Sequence, residues 1–230
     1  LYCALGVVWG CSFIFIKLGL EFLTPFGVAF GRCLLGALTL IVIVLSRKLN
    51  FPRQLKIWLH LWFVSFLLNS IPGVLFALAE TKVTSILAGI LNATTPLMTI
   101  AVIFLAFREE KPKAHHIVGL VVGAAGVFVV LGAWEGIGSN PLWAVGVLLI
   151  ATLGYGISFP YSRKFIIPLK LEPEVAAATQ LILATVTLLP FFIVDGYEQS
   201  NPRTSAIIAM AALGIFGSGF AYIWNFRIIE

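Results

Sequence analysis

Charged residues are scarce in this sequence. Only 11% of its 230 residues are Asp, Glu, Lys or Arg, whereas 60% are hydrophobic, and the mean hydropathy is +1.04. An ordinary water-soluble domain carries roughly a quarter charged residues. This composition excludes a water-soluble fold. The net charge of +5 does not indicate nucleic-acid binding, because the basic residues occupy only short gaps between apolar runs.

Signatures of enzymes and metal sites are also missing. The sequence has no HExxH pattern, no paired Asp within an apolar run, no serine there beside a plausible base, and no Walker-type P-loop. Cys3, Cys11 and Cys33 lie in apolar segments without metal-ligand spacing, so we expect buried thiols and no disulfide. His115 and His116 are adjacent and do not share a helix face. We therefore expect no catalytic activity, metal or cofactor.

Long apolar runs fill most of the chain. A helix needs roughly 20 residues to cross about 30 Å of hydrocarbon. Continuous apolarity, without ten-residue alternation, predicts helices and not a barrel. The eight predicted spans run near 1–18, 25–45, 57–79, 84–107, 115–131, 141–162, 174–194 and 205–225. Because the sequence opens inside an apolar run, with neither Met nor a signal-peptide pattern, we expect the natural N-terminus to lie upstream.

Lys and Arg are distributed unequally between the gaps. Eleven of the fifteen fall in the second, fourth, sixth and eighth gaps, three fall at the odd-numbered gaps, and Arg32 lies inside a span. Short cytoplasmic loops carry the excess of basic residues. The sequence therefore predicts an integral multi-pass protein of a plasma or inner membrane, with its N-terminus in the cytoplasm.

An internal repeat appears when the first span is shifted by 146 positions. Residues 9–13 (WGCSF) then align with residues 155–159 (YGISF), and Gly73 and Phe76 align with Gly219 and Tyr222. The repeat unit contains five spans, an odd number, so the second copy enters the membrane from the opposite side, as in many secondary transporters. We predict one repeat over residues 1–134 and a second over 135–230, with two further spans beyond the end of this chain.

Several short motifs connect the chain to a known family. They are Trp9-Gly10 with Ser12, the segment Phe30-Gly31-Arg32, Pro96, and Glu110-Lys111-Pro112 before Gly119, Gly123 and Gly126. In this order the chain resembles the EamA-type branch of the drug/metabolite transporter superfamily. The resemblance implies ten spans built as five plus five, and export of amino acids or similar metabolites. In the second span of each repeat Pro25 aligns with Pro173, an offset of 148 (173 minus 25), and the chain departs from the family pattern there because Gln180 matches Arg32.

Aromatic and hydroxyl pairs recur in equivalent helices. Trp9 with Ser12, and Tyr155 with Ser158, lie three residues apart and so on one face of their helices. They either line a central site or pack ordinarily. Further candidates in spans three and eight are Asn69, Gly73, Phe76, Tyr222, Trp224 and Asn225.

Span four contains a polar stripe around a proline. Asn92, Thr95 and Thr99 recur at helical spacing, and Pro96 frees a backbone carbonyl near Asn92 that needs a partner. The stripe forms either a cavity wall with Pro96 as a hinge or ordinary interhelical hydrogen bonds.

Few charges accompany these stripes. Arg32 either snorkels to the outer interface near Glu21, pairs structurally or binds substrate. We expect Glu80 at the outer surface. No carboxylate falls at mid-depth, which argues against carboxylate-driven proton coupling in these spans.

The favoured function is secondary transport of a small organic metabolite across the lipid bilayer, by alternating access between the two repeats. A non-transporting accessory or receptor subunit is the alternative. The glycines at 119, 123 and 126 allow close helix packing, either within the molecule or in a homodimer.

Overall fold

The computed structural model describes residues 2–106, 114–130, 141–198 and 202–229. The α-helices are α1 Tyr2–Gly19, α2 Pro25–Ser46, α3 Leu55–Ser65, α4 Ile71–Glu80, α5 Ser85–Asn92, α6 Thr95–Ala106, α7 Ala114–Val130, α8 Leu142–Phe165, α9 Pro173–Asp195, α10 Thr204–Ala212 and α11 Ala221–Ile229. Over the described ranges no strand forms, and one isolated antiparallel bridge joins Leu23 to Tyr197.

The predicted spans are helical wherever the structure describes them. Predicted starts lie within two residues of the observed ones. Six continuous stretches are long and apolar enough to cross a membrane: Pro25–Ser46, Leu55–Glu80, Ser85–Ala106, Leu142–Leu169, Pro173–Asp195 and Thr204–Ile228. A shorter apolar helix covers Cys3–Gly19. The all-α, polytopic membrane fold is confirmed. The Glu110-Lys111-Pro112 motif, the predicted repeat boundary at 134 and the side chains of His115 and His116 lie outside the described residues.

Local capping explains where two of the spans begin. Thr24 Oγ1 accepts a hydrogen bond from the Gly27 amide at 3.2 Å, and Pro25 takes the first helical position of α2, where no amide donor is needed. Thr84 Oγ1 accepts from the Leu87 amide at 3.3 Å in the same way at the start of α5. These short side-chain contacts define the ends of helices that are otherwise uniformly apolar.

Two spans contain a π-helical segment. Phe66–Ser70 joins α3 to α4 in span three, and Leu213–Phe220 joins α10 to α11 in span eight. Their first residues are 147 positions apart (213 minus 66), close to the offset of the sequence repeat. π-Helical turns are rare and frequently occur at functional sites. Both segments lie beside the cavity described below.

Spans two and seven form the centre of the bundle. α2 packs against α9 and against the π segment of span eight. The approach is close: a Cβ added to Gly36 would lie 2.8 Å from Leu181 Cδ1 and 3.1 Å from the Gly214 carbonyl oxygen. Glycine is required here because the backbones of two spans nearly touch.

The same two spans are tied at both ends. At the end where α2 stops and α9 starts, Glu174 Oε1 accepts from Arg47 Nη1 at 2.8 Å and from Arg227 Nη2 at 2.5 Å. At the other end Thr24 Oγ1 donates to the Asp195 carbonyl oxygen, and the Glu198 amide donates to the Phe22 carbonyl oxygen at 3.1 Å. We call the first of these the basic end.

The expectation of buried thiols is wrong for two of the three cysteines. Cys33 is buried as expected, but Cys3 and Cys11 are exposed because they lie on the outward face of α1. Glu80, which we expect at the outer membrane surface, ends α4, and neighbouring spans cover its side chain, which is 0% exposed. Its Oε2 accepts from Ser85 Oγ at 2.8 Å, and Lys17 Nζ donates to its backbone carbonyl, so spans one, three and four meet over it.

Candidate functional site

A cavity of about 280 Å³ lies between the helices of both predicted halves. Spans one, two, three, four, six and eight contribute to its wall. The lining residues are Trp9, Ser12, Phe13, Ile16, Arg32, Leu68, Phe76, Asn92, Thr95, Pro96, Tyr155, Phe159 and Tyr222. The wall is therefore mostly apolar and aromatic, with a few polar groups, which is the usual construction of a small-molecule site.

Aromatic rings contact one another around the cavity. Trp9 and Tyr222 meet edge to face with ring centroids 6.2 Å apart, and Phe76 stacks on Tyr155 at 6.0 Å. Each pair joins a span of the first half to a span of the second. These contacts hold flat, rigid surfaces on two sides of the cavity and leave room between them.

The π segments supply hydrogen-bond acceptors to two of these aromatic side chains. Trp9 Nε1 donates to the Gly217 carbonyl oxygen at 3.2 Å, and the hydroxyl of Tyr222 lies 3.5 Å from the Leu68 carbonyl oxygen. Gly217 and Leu68 belong to the π segments of spans eight and three respectively. The irregular backbone thus orients the polar edges of the cavity's aromatic wall.

Span four is interrupted by a two-residue turn at the cavity, where α5 ends at Asn92 and α6 begins at Thr95. Helical hydrogen bonds still reach the turn from both sides, from the Ala93 amide to the Gly89 carbonyl oxygen at 3.2 Å and from the Met98 amide to the Thr94 carbonyl oxygen at 3.1 Å. The carbonyl that Pro96 was predicted to free is that of Asn92, and Thr95 Oγ1 donates to it at 2.7 Å. Pro96 lies next to this turn, and its role as a hinge stays a prediction.

Arg32 lies in the cavity wall. Its exposed fraction is 8%, and Nε donates to Ser218 Oγ of the second π segment at 3.2 Å. Of the three expectations for this residue, this position favours a structural or substrate role over snorkelling. The sequence signal was the charge inside an apolar span, but the direction of the side chain depends on how spans two and eight pack.

Six of the candidate residues lie outside the lining of this cavity: Asn69, Gly73, Thr99, Ser158, Trp224 and Asn225. Ser158 is fully buried, and its hydroxyl donates to the Tyr155 carbonyl oxygen at 2.9 Å. Asn225 is buried further along α11, and Trp224 is half-buried there. The cavity brings together the other seven predicted binding residues, Trp9, Ser12, Phe76, Asn92, Thr95, Tyr155 and Tyr222.

Sequence reasoning missed four lining residues as site candidates, and it left the role of a fifth, Arg32, undecided between three alternatives. Phe13 and Phe159 occupy equivalent repeat positions next to Ser12 and Ser158, a signal that could have found them. Ile16 and Leu68 are ordinary apolar residues without any such signal. In the part of the chain that the structure describes, no group of three or more His, Cys, Asp or Glu residues could hold a metal ion.

The family model of the EamA-like transporter family matches residues 1–132 and 142–230. The chain belongs to this family. An "Uncharacterized transporter" of Archaeoglobus fulgidus is 31% identical over 232 residues, covering 96% of this chain and 76% of that protein. "Uncharacterized inner membrane transporter YedA" of Escherichia coli is 26% identical over 217 residues, covering 94% of this chain and 68% of that protein.

A solved crystal structure shares the fold. It superposes with a TM-score of 0.70 and covers 97% of this chain and 76% of its own, at 23% identity. The EamA-like chain is therefore a multi-pass membrane protein and a membrane transporter. The family and the names of the relatives point to transport and not to an enzyme.

Proposed function

We propose that this EamA-like chain is a secondary carrier that moves small organic metabolites by alternating access, with the aromatic cavity as its substrate site. The observation that carries the proposal is that the cavity is built from both predicted repeats. Trp9 and Phe76 come from the first, and Tyr155 and Tyr222 come from the second. Rocking of one half against the other would open such a site to either side in turn.

An inverted five-plus-five repeat is the arrangement we propose for the ten-span protein. The matching positions of the two π segments support it. The surroundings of two equivalent glycines, Gly10 and Gly156, also support it. A Cβ added to Gly156 would lie 2.8 Å from the backbone of Met98 in span four, whereas no atom lies within 4 Å of a Cβ added to Gly10. A ninth span, equivalent to span four, would cover Gly10. In this arrangement the first repeat comprises residues 1–134 and the second begins at residue 135 and includes residues 135–230.

The substrates we propose are amino acids or related compounds, carried outward. The family resemblance supports this substrate class, and the cavity volume of about 280 Å³ suits a solute of that size. Ligand pockets commonly measure about 300 to 1,000 Å³, so this cavity of about 280 Å³ lies just below that range. Large drug molecules would not fit without rearrangement of the helices.

Flux through reconstituted vesicles tests the proposal. The intact protein in proteoliposomes should exchange a labelled amino acid or related metabolite for an unlabelled one, and Trp9→Ala and Asn92→Ala should each change the rate or the substrate preference at equal protein content. Lys82→Ala, an exposed residue outside the cavity, is the matched control and should leave both unchanged. Absence of flux for a broad panel, with binding retained, would favour the accessory or receptor alternative.

A homodimer through the glycine face of α7 is a separate proposal. A Cβ on Gly123 would lie 3.6 Å from Leu97 of span four, whereas those on Gly119 and Gly126 would have open space. The two open glycines would permit close contact with a second copy. Native mass spectrometry of the purified protein should then show a dimer that Gly119→Leu converts to a monomer. A monomer in the unmodified protein would contradict it.

A further inference from the structure

Arg32 is the cation of the cavity wall, and nothing in the proposed function uses it. We propose that the solute bound in this cavity carries a carboxylate and that the Arg32 guanidinium binds it. The inference rests on the proposed function only in taking this cavity as the solute site.

The hydrogen bonds of Arg32 leave most of its donors free. A guanidinium has five N–H donors and no acceptor. Within the described residues it makes one hydrogen bond, from Nε to the Ser218 hydroxyl at 3.2 Å, and no ion pair with a carboxylate. Ser218 is neutral, so this contact does not compensate the charge. The Nη donors remain for a ligand or for water in the cavity.

Burial makes an uncompensated charge costly at this depth. Arg32 is the eighth residue of α2, about 10 Å along the helix from Pro25, and its exposed fraction is 8%. A charge inside a membrane span is retained where it pairs, faces a water-filled cavity or serves a substrate pathway. Because Arg32 lines the cavity and no carboxylate among the described residues pairs with it, an anionic solute would supply the missing counter-charge.

The rest of the wall defines the remainder of the solute. The described lining contains no Asp or Glu that could pair with an ammonium group. It does contain the rings of Trp9, Phe76, Tyr155 and Tyr222, which suit an apolar or aromatic body. The expected ligand is thus a small carboxylic acid with an apolar body. A free organic acid and an amino acid share this chemistry.

Calorimetric binding to the purified intact protein in detergent tests the inference directly. Four probes of similar size are used: 3-phenylpropanoate, L-phenylalanine, 2-phenylethylamine and 3-phenylpropanol. At least one of the two carboxylates should bind about tenfold or more tightly than the amine and the alcohol. Binding of 3-phenylpropanoate alone assigns the site to organic acids, and binding of L-phenylalanine, alone or with 3-phenylpropanoate, admits amino acids. Each of these results supports the carboxylate assignment.

Substitution of Arg32 completes the test. Arg32→Gln introduces the residue that the second repeat has at the equivalent position, and it should weaken carboxylate binding about tenfold or more. Arg32→Lys keeps the positive charge but lacks the planar guanidinium, so this variant should bind the carboxylate probes with intermediate affinity. It replaces the Gln variant in the test if that variant does not fold. Arg53→Gln removes an exposed cation with no described partner and is the control, which should bind as the unmodified protein does.

Three results would overturn the inference: failure of both carboxylates to bind, equal binding of the amine or the alcohol, or unchanged carboxylate affinity in the Arg32 variants. Carboxylate binding without vesicle flux would instead count against the carrier function alone. Flux that is equal for amines and carboxylates would count against the carboxylate site alone.

Discussion

At the scale of single residues, two equivalent serines take different places. Ser12 lines the cavity, and its hydroxyl donates to the Val8 carbonyl oxygen at 2.9 Å. Its lone pairs remain available to accept from a solute. Ser158 donates to the Tyr155 carbonyl oxygen but is fully buried away from the cavity. The repeat relates the two positions, whereas the neighbouring helices decide which of them meets the cavity.

Ser12→Ala should therefore raise the KM for transport about fivefold, because one hydrogen bond is worth about 1 kcal/mol. Ser158→Ala should leave KM unchanged. The concentration dependence of flux in proteoliposomes measures both. An equal rise in KM for the two variants would show that the cavity is not the solute site.

At the scale of the helix, span four packs closely against α8. Gly156 of α8 lies against span four, where an added Cβ would be 2.8 Å from the Met98 carbonyl carbon and 2.9 Å from Met98 Cβ. The atoms it would meet belong to or adjoin the backbone, so they cannot rotate away. The α8 backbone therefore holds the first turn of α6 in place beside the cavity.

Gly156→Ala should lower the stability of the protein by roughly 1 to 3 kcal/mol, because it forces two backbones apart. The melting temperature from tryptophan fluorescence of the purified protein measures this. Gly146→Ala, in the same helix with nothing within 4 Å of its added Cβ, is the matched control and should not lower it. Equal melting temperatures for the two variants would contradict the tight packing.

At the scale of the whole molecule, Glu174 joins three spans at the basic end. It starts α9 and is ion-paired to Arg47 at the end of α2 and to Arg227 of α11. The Glu174 side chain is 3% exposed, whereas those of Arg47 and Arg227 are 56% and 43% exposed. The carboxylate is thus the buried member, and its loss affects both partners at once.

Glu174→Gln should lower the melting temperature, by an amount equivalent to roughly 1 to 3 kcal/mol, because two charge-assisted hydrogen bonds weaken together. The partly exposed arginines keep their water, so the loss should fall short of that for a fully buried pair. Glu172→Gln removes an exposed carboxylate two residues away and is the control. A comparable loss in the control would mean that general charge, and not this network, sets the stability.

The orientation proposed from the basic residues is a second test at this scale. In a variant whose three cysteines are replaced by alanine, Lys82→Cys should react with a membrane-impermeant maleimide on intact cells. Arg53→Cys should react only after permeabilisation, since short cytoplasmic loops carry the basic excess. The reverse pattern would place the N-terminus outside.

Hydropathy over about 20 residues is a local property, so the amino-acid sequence alone establishes that the chain crosses a membrane as helices. The sequence also specifies the starts of helices through residues such as Thr24 and Pro25. It likewise leaves the Asn92 carbonyl without its helical donor, because the residue four positions later is Pro96. These features need no knowledge of distant neighbours.

Which side chains meet depends on the packing of the helices in three dimensions. Arg32 turns to Ser218, 186 positions away, and Glu80 is covered by spans one and four although it ends a helix. Ser12 reaches the cavity and Ser158 does not. Each outcome depends on which helices pack together and at what distance. In hydrocarbon every apolar face of a helix can face lipid at similar free energy, so helix–helix packing decides which face is buried.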